Sequence, residues 1–96
     1  MESIYVLFHD RAGEAMHSLY RSFRKAVAPI DRQGGDNVFR HQQSLYTEQL
    51  KRRLESIALE LLSKLNKSVD PNECHHTLSR FIQDYVREFG QKIRAL

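Results

Sequence analysis

The stretch VFRHQQSLYTEQLKRRLESIALELLSKLN, from Val38 to Asn66, decides the fold. It contains neither Gly nor Pro and is built mostly from good helix formers. Phe39, Tyr46, Leu50, Leu54, Ile57, Ala58, Leu61 and Leu65 recur at steps of three and four or their sum. At about 100° per residue they fall on one stripe, the core face of a single long helix. Such a helix would run roughly 40 Å at about 1.5 Å rise per residue. Asp36 can cap its start, and Gly34-Gly35 just before it breaks any helix arriving from upstream. Alone, the helix has nothing to bury its stripe against, so the rest of the chain must fold back along it.

The two flanking segments have the same character. Tyr5, Phe8, Ala12, Met16, Leu19, Tyr20, Phe23, Ala26 and Val27 share one side of a helical wheel, and Pro29 stops the run. Its opening, Ile4-Tyr5-Val6-Leu7-Phe8, is rich in β-formers, so a short strand followed by a helix from Asp10 is the competing reading. The continuous helix is favoured because the stripe keeps its phase across Gly13 and a lone strand would have no partner. Ala28 to Asp36 is a loop; its two glycines lack the Lys-Ser/Thr of a phosphate loop. Downstream, Asp70-Pro71-Asn72-Glu73 spells a helix start, with Asp70 as N-cap, Pro71 where no N–H is needed and Glu73 placed to reach back. The helix that follows carries Cys74, Leu78, Phe81, Ile82, Tyr85, Val86, Phe89 and Ile93 over an arc wide enough for two neighbours.

Three helices joined by short connections predict an all-α, up-down-up antiparallel three-helix bundle, because a short loop makes the next helix double back. The expected spans are about 3–28, 37–66 and 71–95, within one helical domain covering 1–96. With 96 residues, 41% of them hydrophobic, the core is thin and association with a partner is plausible from size alone.

Chemistry-bearing residues are sparse. Cys74-His75-His76 sets possible ligands side by side, yet consecutive helical positions point 100° apart, and Cys74 alone lies on the core stripe. His9, His17 and His41 have no i, i+4 ligand partner. No paired titratable groups at suitable spacing can be assembled, so no enzyme activity, metal, cofactor or small-molecule substrate is expected. No apolar run reaches the length of about 18 residues that a membrane span needs, or the shorter core of a signal peptide. A single cysteine rules out an internal disulfide, which fits an intracellular protein of cytoplasm or nucleus rather than a secreted one.

Two surface features point to binding. On the wheel of the central helix Val38, Leu45 and Leu59 fall roughly opposite the core stripe, and Leu7 and Ile4 leave the stripe of the first helix. Several exposed apolar residues on a small bundle predict a docking surface for a protein partner or a second copy, with Val38, Leu45, Leu59 and Leu7 as its residues. The alternative is electrostatic. An up-down-up bundle gathers Arg21, Arg24, Lys25, Arg32, Arg40, Arg87, Lys92 and Arg94 at one pole against Asp31, Asp36, Asp84 and Glu88. Arg21, Arg24, Lys25 and Arg40 would then contact phosphates of a nucleic acid or an acidic partner. Helix C-termini favour Lys and Arg for the dipole, which accounts for Lys25, Lys92 and Arg94 without any partner.

Ser18-Leu19-Tyr20-Arg21 followed by Phe39-Arg40 resembles the Leu-Tyr-Arg motif family, small three-helix mitochondrial proteins that act as assembly factors and commonly bind acyl carrier protein. The resemblance implies Leu19, Tyr20, Arg21 and Phe39 as the matching positions. The chain departs from the pattern in Ser22-Phe23-Arg24, where an apolar-Arg continuation is usual, and in placing Phe39 at the very start of the second helix. Leu19 and Tyr20 also lie on the core stripe, and the docking surface expected above does not depend on this motif.

Overall fold

The computed structural model describes residues 3–29, 36–64 and 70–95. They form three α-helices: α1 (Ile4–Val27), α2 (Asp36–Ser63) and α3 (Pro71–Arg94). α2 packs extensively on both others, while α1 and α3 touch each other less. Side-chain pairs fix the directions. Arg11 at the start of α1 meets Glu60 at the end of α2, and Phe23 late in α1 meets Phe39 and Tyr46 early in α2. Gln43 early in α2 reaches the carbonyl of Ile93 late in α3. Tyr5 packs on Phe81 and Lys92 sits over the Tyr20 ring, so α1 and α3 run parallel. This is the up-down-up arrangement, drawn out into a rod of 56 × 20 × 18 Å.

The helix ends follow their sequences. Ser3 caps α1 by accepting the Tyr5 N–H at 3.2 Å, which secures the helical state of the β-rich opening and leaves no strand there. Asp70 caps α3 by accepting the Asn72 N–H at 2.9 Å. Glu73 makes no return bond among the described residues, so this cap rests on Asp70 alone rather than on the reciprocal pair the sequence suggested. α2 begins at Asp36, and Lys64 is already in a turn; Leu65, Asn66, the Gly34-Gly35 pair, Asp31 and Arg32 lie outside the described residues.

The core takes Phe8, Ala12, Phe23 and Val27 from α1, Phe39, Leu50, Leu54, Ala58 and Leu61 from α2, and Leu78, Ile82, Phe89 and Ile93 from α3. Ala15 joins them, a small residue the periodicity did not single out. Ile4 is a correction in the other direction: it is half-buried and packed against the core instead of leaving it, because it lies one turn before the fully buried Phe8 and so on the same side of α1. Between α1 and α3 the seam is aromatic. Phe8, Phe81 and Tyr85 stack or meet edge to face, the Tyr85 hydroxyl and His9 Nδ1 share a hydrogen bond of 2.8 Å, and the Tyr5 hydroxyl donates to Cys74 Sγ at 3.5 Å.

Candidate functional site

Packing covers one side of α2 and leaves its opposite side bare. Val38 is 52% exposed, Leu45 42% and Leu59 64%, while Leu54 on the inner side of the same helix is 0%. Val38, Leu45, Arg52 and Leu59 follow one another at seven-residue steps. Seven residues make slightly less than two full turns, so the row drifts by about 20° per step around a straight helix. Over about 31 Å of helix it therefore crosses the outer face obliquely, with Val38 leaning toward α1 and Leu59 toward α3. The contacts agree: Leu59 lines a groove of about 350 Å³ between α2 and α3, together with Lys51, Glu55, Ala58, His75 and Ile82.

Leu7, the fourth expected position, is 36% exposed. It lies one turn before Arg11, whose guanidinium is 2.9 Å from the Glu60 carboxylate beside Leu59. Leu7 thus belongs to the Leu59 end of the rod and is far from Val38. Val6, also exposed, was not singled out from the sequence, because it sits in the run of β-formers that masks which side of α1 each residue takes.

Charges on this face are few and specific. Arg52 Nε lies 3.3 Å from Glu48 Oε1 one turn back, and both are exposed. Glu60 also receives Lys64 at 3.5 Å, and the hydrogen bond and charge of Arg11 hold its carboxyl below the usual carboxylate range.

The cationic positions divide. Arg21, Arg24 and Lys25 stand exposed near the end of α1, and with Ala28 they line a shallow depression there. Arg40 is at the same end of the rod but on another side. One turn on, Ser44 lines the α2/α3 groove that Arg87 and Arg94 also enter. None of these four candidate residues makes an ion pair with a described residue, whereas Lys92 packs over Tyr20 and Arg94 folds back onto the Gly90 carbonyl.

Cys74 is buried and free, with His75 and His76 exposed beside it, so the three do not converge. Among the described residues no group of three or more His, Cys, Asp or Glu could hold a metal ion, and no buried side-chain N or O atom lacks a partner. Nor is any helix among them long and apolar enough to cross a membrane. No family model, no curated protein and no solved structure matches this chain. The Leu19-Tyr20-Arg21 tripeptide is accordingly read from its surroundings: Leu19 and Tyr20 are half-buried against the core, and Arg21 is exposed.

Proposed function

We propose that this chain is a non-enzymatic protein-interaction module that works as an adaptor, a small subunit of a complex or a homo-oligomer, through the outer face of α2. One observation carries the reading: α2 is apolar on two sides, and only one of them is covered. Single exposed leucines are ordinary, but three large apolar residues at a seven-residue repeat are the pattern a wound partner helix follows. A helix crossing at about 20° keeps pace with the drift of the row, which a flat surface does not. The buried thiol of Cys74, which forms no disulfide, fits an intracellular setting for this activity.

The reading is tested by placing a photo-crosslinking phenylalanine analogue at position 45 in cells that express the chain, with position 84 on α3 as control. Protein adducts at 45 that disappear with Leu59→Glu are the expected result. Adducts no more abundant at 45 than at 84 would refute it.

A second reading is supported by the unpaired cations at the end of α1. If Arg21, Arg24 and Lys25 each neutralise a phosphate of duplex DNA, affinity falls about 20-fold between roughly 50 and 150 mM salt, from a slope near −0.9 per contact. A protein interface made by leucines is nearly indifferent to that change.

A further inference from the structure

We infer that the partner seated on the outer face of α2 is a second copy of this chain, packed antiparallel, α2 against α2, about a two-fold axis between Gln49 and Arg52. The inference rests on the proposed function above and adds the partner and its orientation.

The seam is wider than its apolar row. Between the members of that row, at the same seven-residue step, run Gln42, Gln49, Ser56 and Ser63. All are exposed except Gln42, which is half-buried. Arg52 is the only charge in the two rows; Glu48 and Glu55 flank them on one side and Arg53 and Glu60 on the other, with Glu48 3.3 Å from Arg52, while Arg40 and Lys51 lie farther round the helix. Depletion of charge is what separates the centre of an interface from ordinary surface.

Turning a second copy end for end pairs each member of one row with a member of the other. Leu45 then faces Ser56 of the other copy, Val38 faces Ser63, Leu59 faces Gln42 and Arg52 faces Gln49. A large apolar side chain meets a small one in the first two layers, so the helices approach closely without overlap. In the third, Leu59 lies against the methylenes of a glutamine. In the fourth, the Arg52 guanidinium, held at Nε by Glu48 of its own helix, has N–H groups left to donate to the Gln49 side-chain carbonyl of the other copy. The two-fold repeats every layer, so the same patch serves both copies, as a closed dimer requires. A parallel pairing in register does the opposite. It sets Arg52 against Arg52 at the centre, a like-charge contact, and stacks serine on serine and leucine on leucine.

The test is the solution mass by sedimentation equilibrium over a concentration series, joined to one distance measurement. Wild type is expected to be a reversible dimer, and Leu45→Glu with Leu59→Glu a monomer of unchanged helical circular dichroism. Gln49→Glu sharpens the orientation. Facing Arg52 of the other copy it forms two new ion pairs and tightens the dimer about fivefold, whereas in a parallel pairing it faces itself and loosens it. A nitroxide on His41→Cys, in a Cys74→Ala background, should lie about 30 Å from its mate in the antiparallel dimer, against about 10 Å in a parallel one. A dimer that survives both glutamates, or that gives the short distance, overturns the inference. So does a wild-type monomer at every concentration up to about 1 mM; crosslinks to another protein at position 45 would then still uphold the broader reading.

Discussion

Two leucines five positions apart on α2 provide a controlled experiment. Leu54 is buried at 0% and Leu59 is 64% exposed, so truncating each to alanine removes the same atoms from opposite environments. At Leu54 the loss combines the transfer free energy of the deleted carbons with a cavity the bundle cannot close, about 3–5 kcal/mol. At Leu59 the deleted carbons were already mostly in water, and alanine is the better helix former, so the change stays within about 0.5 kcal/mol. For a chain of this size total stability is about 5–14 kcal/mol, so Leu54→Ala removes a large share of it. With a slope of about 1.5 kcal/mol per molar urea, the unfolding midpoint moves down by about 2–3 M for Leu54→Ala and by less than about 0.3 M for Leu59→Ala. The assay is urea unfolding followed by helical circular dichroism at low micromolar concentration, where association contributes least. Equal shifts for the two variants would mean that α2 is rotated about its axis relative to the bundle described here, and the exposed row would lose its basis. Raising the protein concentration should then open a gap between wild type and Leu59→Ala alone, because mass action stabilises whatever dimer the leucine supports.

Other consequences can be measured more simply. Asp70→Ala deletes the acceptor of the Asn72 N–H and should cost about 1 kcal/mol in the same unfolding assay, while Asp70→Asn, an equally good cap, should cost little; equal losses would show that the cap is not the source. Glu60 titrates below the ordinary carboxylate range because Arg11 favours its ionised form, so its contribution to stability is present above the ordinary Glu range and is lost as pH falls through its lowered value. Carbon-detected NMR titration should find the Glu60 midpoint moved upward by Arg11→Ala, and an unmoved midpoint would break the assignment. Burial, then Glu88 and Asp10, raises the Tyr85 hydroxyl above its ordinary 10.0, so the unfolded chain ionises first and stability falls as pH climbs past that value. Absorbance titration of Tyr85→Phe should lose one group from the late phase and keep Tyr5, which its hydrogen bond to Cys74 also raises, and a late phase of undiminished amplitude would break the assignment to Tyr85.

The bundle was legible because burial at the three-and-four step is a local property of each helix. Phe8, Phe23, Leu50, Leu54, Leu78, Phe89 and Ile93 could be placed inside from spacing alone, and each is. Val38, Leu45 and Leu59 could be placed outside by the same arithmetic. Spacing does not say which partner meets which. The Arg11–Glu60 ion pair, the His9–Tyr85 hydrogen bond and the Tyr5–Cys74 contact join residues remote in sequence, and they depend on the rotation and offset of whole helices. Ala15 lies at the edge of the α1 stripe, one turn after Ala12 and one turn before Leu19, and the contact of α2 and α3 on that helix is wide enough to bury it too. The basic pole was a statement about one end of the rod, and the helix rotations show that Arg40 and the α1 cations occupy different sides of that end. The strand propensity of the five residues after Ser3 is overridden by that residue's own side chain, which caps the helix by accepting the Tyr5 N–H.

The elongated outline bears on how the molecule moves through solvent. Its radius of gyration is 15.8 Å, against about 12.5 Å for a compact domain of the same length. A body of this shape drags more water than a sphere of equal mass, so it diffuses slowly and leaves a sizing column early. Against compact standards the monomer will pass for something heavier. Two such rods laid side by side would gain girth far more than length, so pairing would make the particle rounder as it doubled its mass. The frictional ratio should therefore fall on dimerisation, a signature that elution volume alone would conceal.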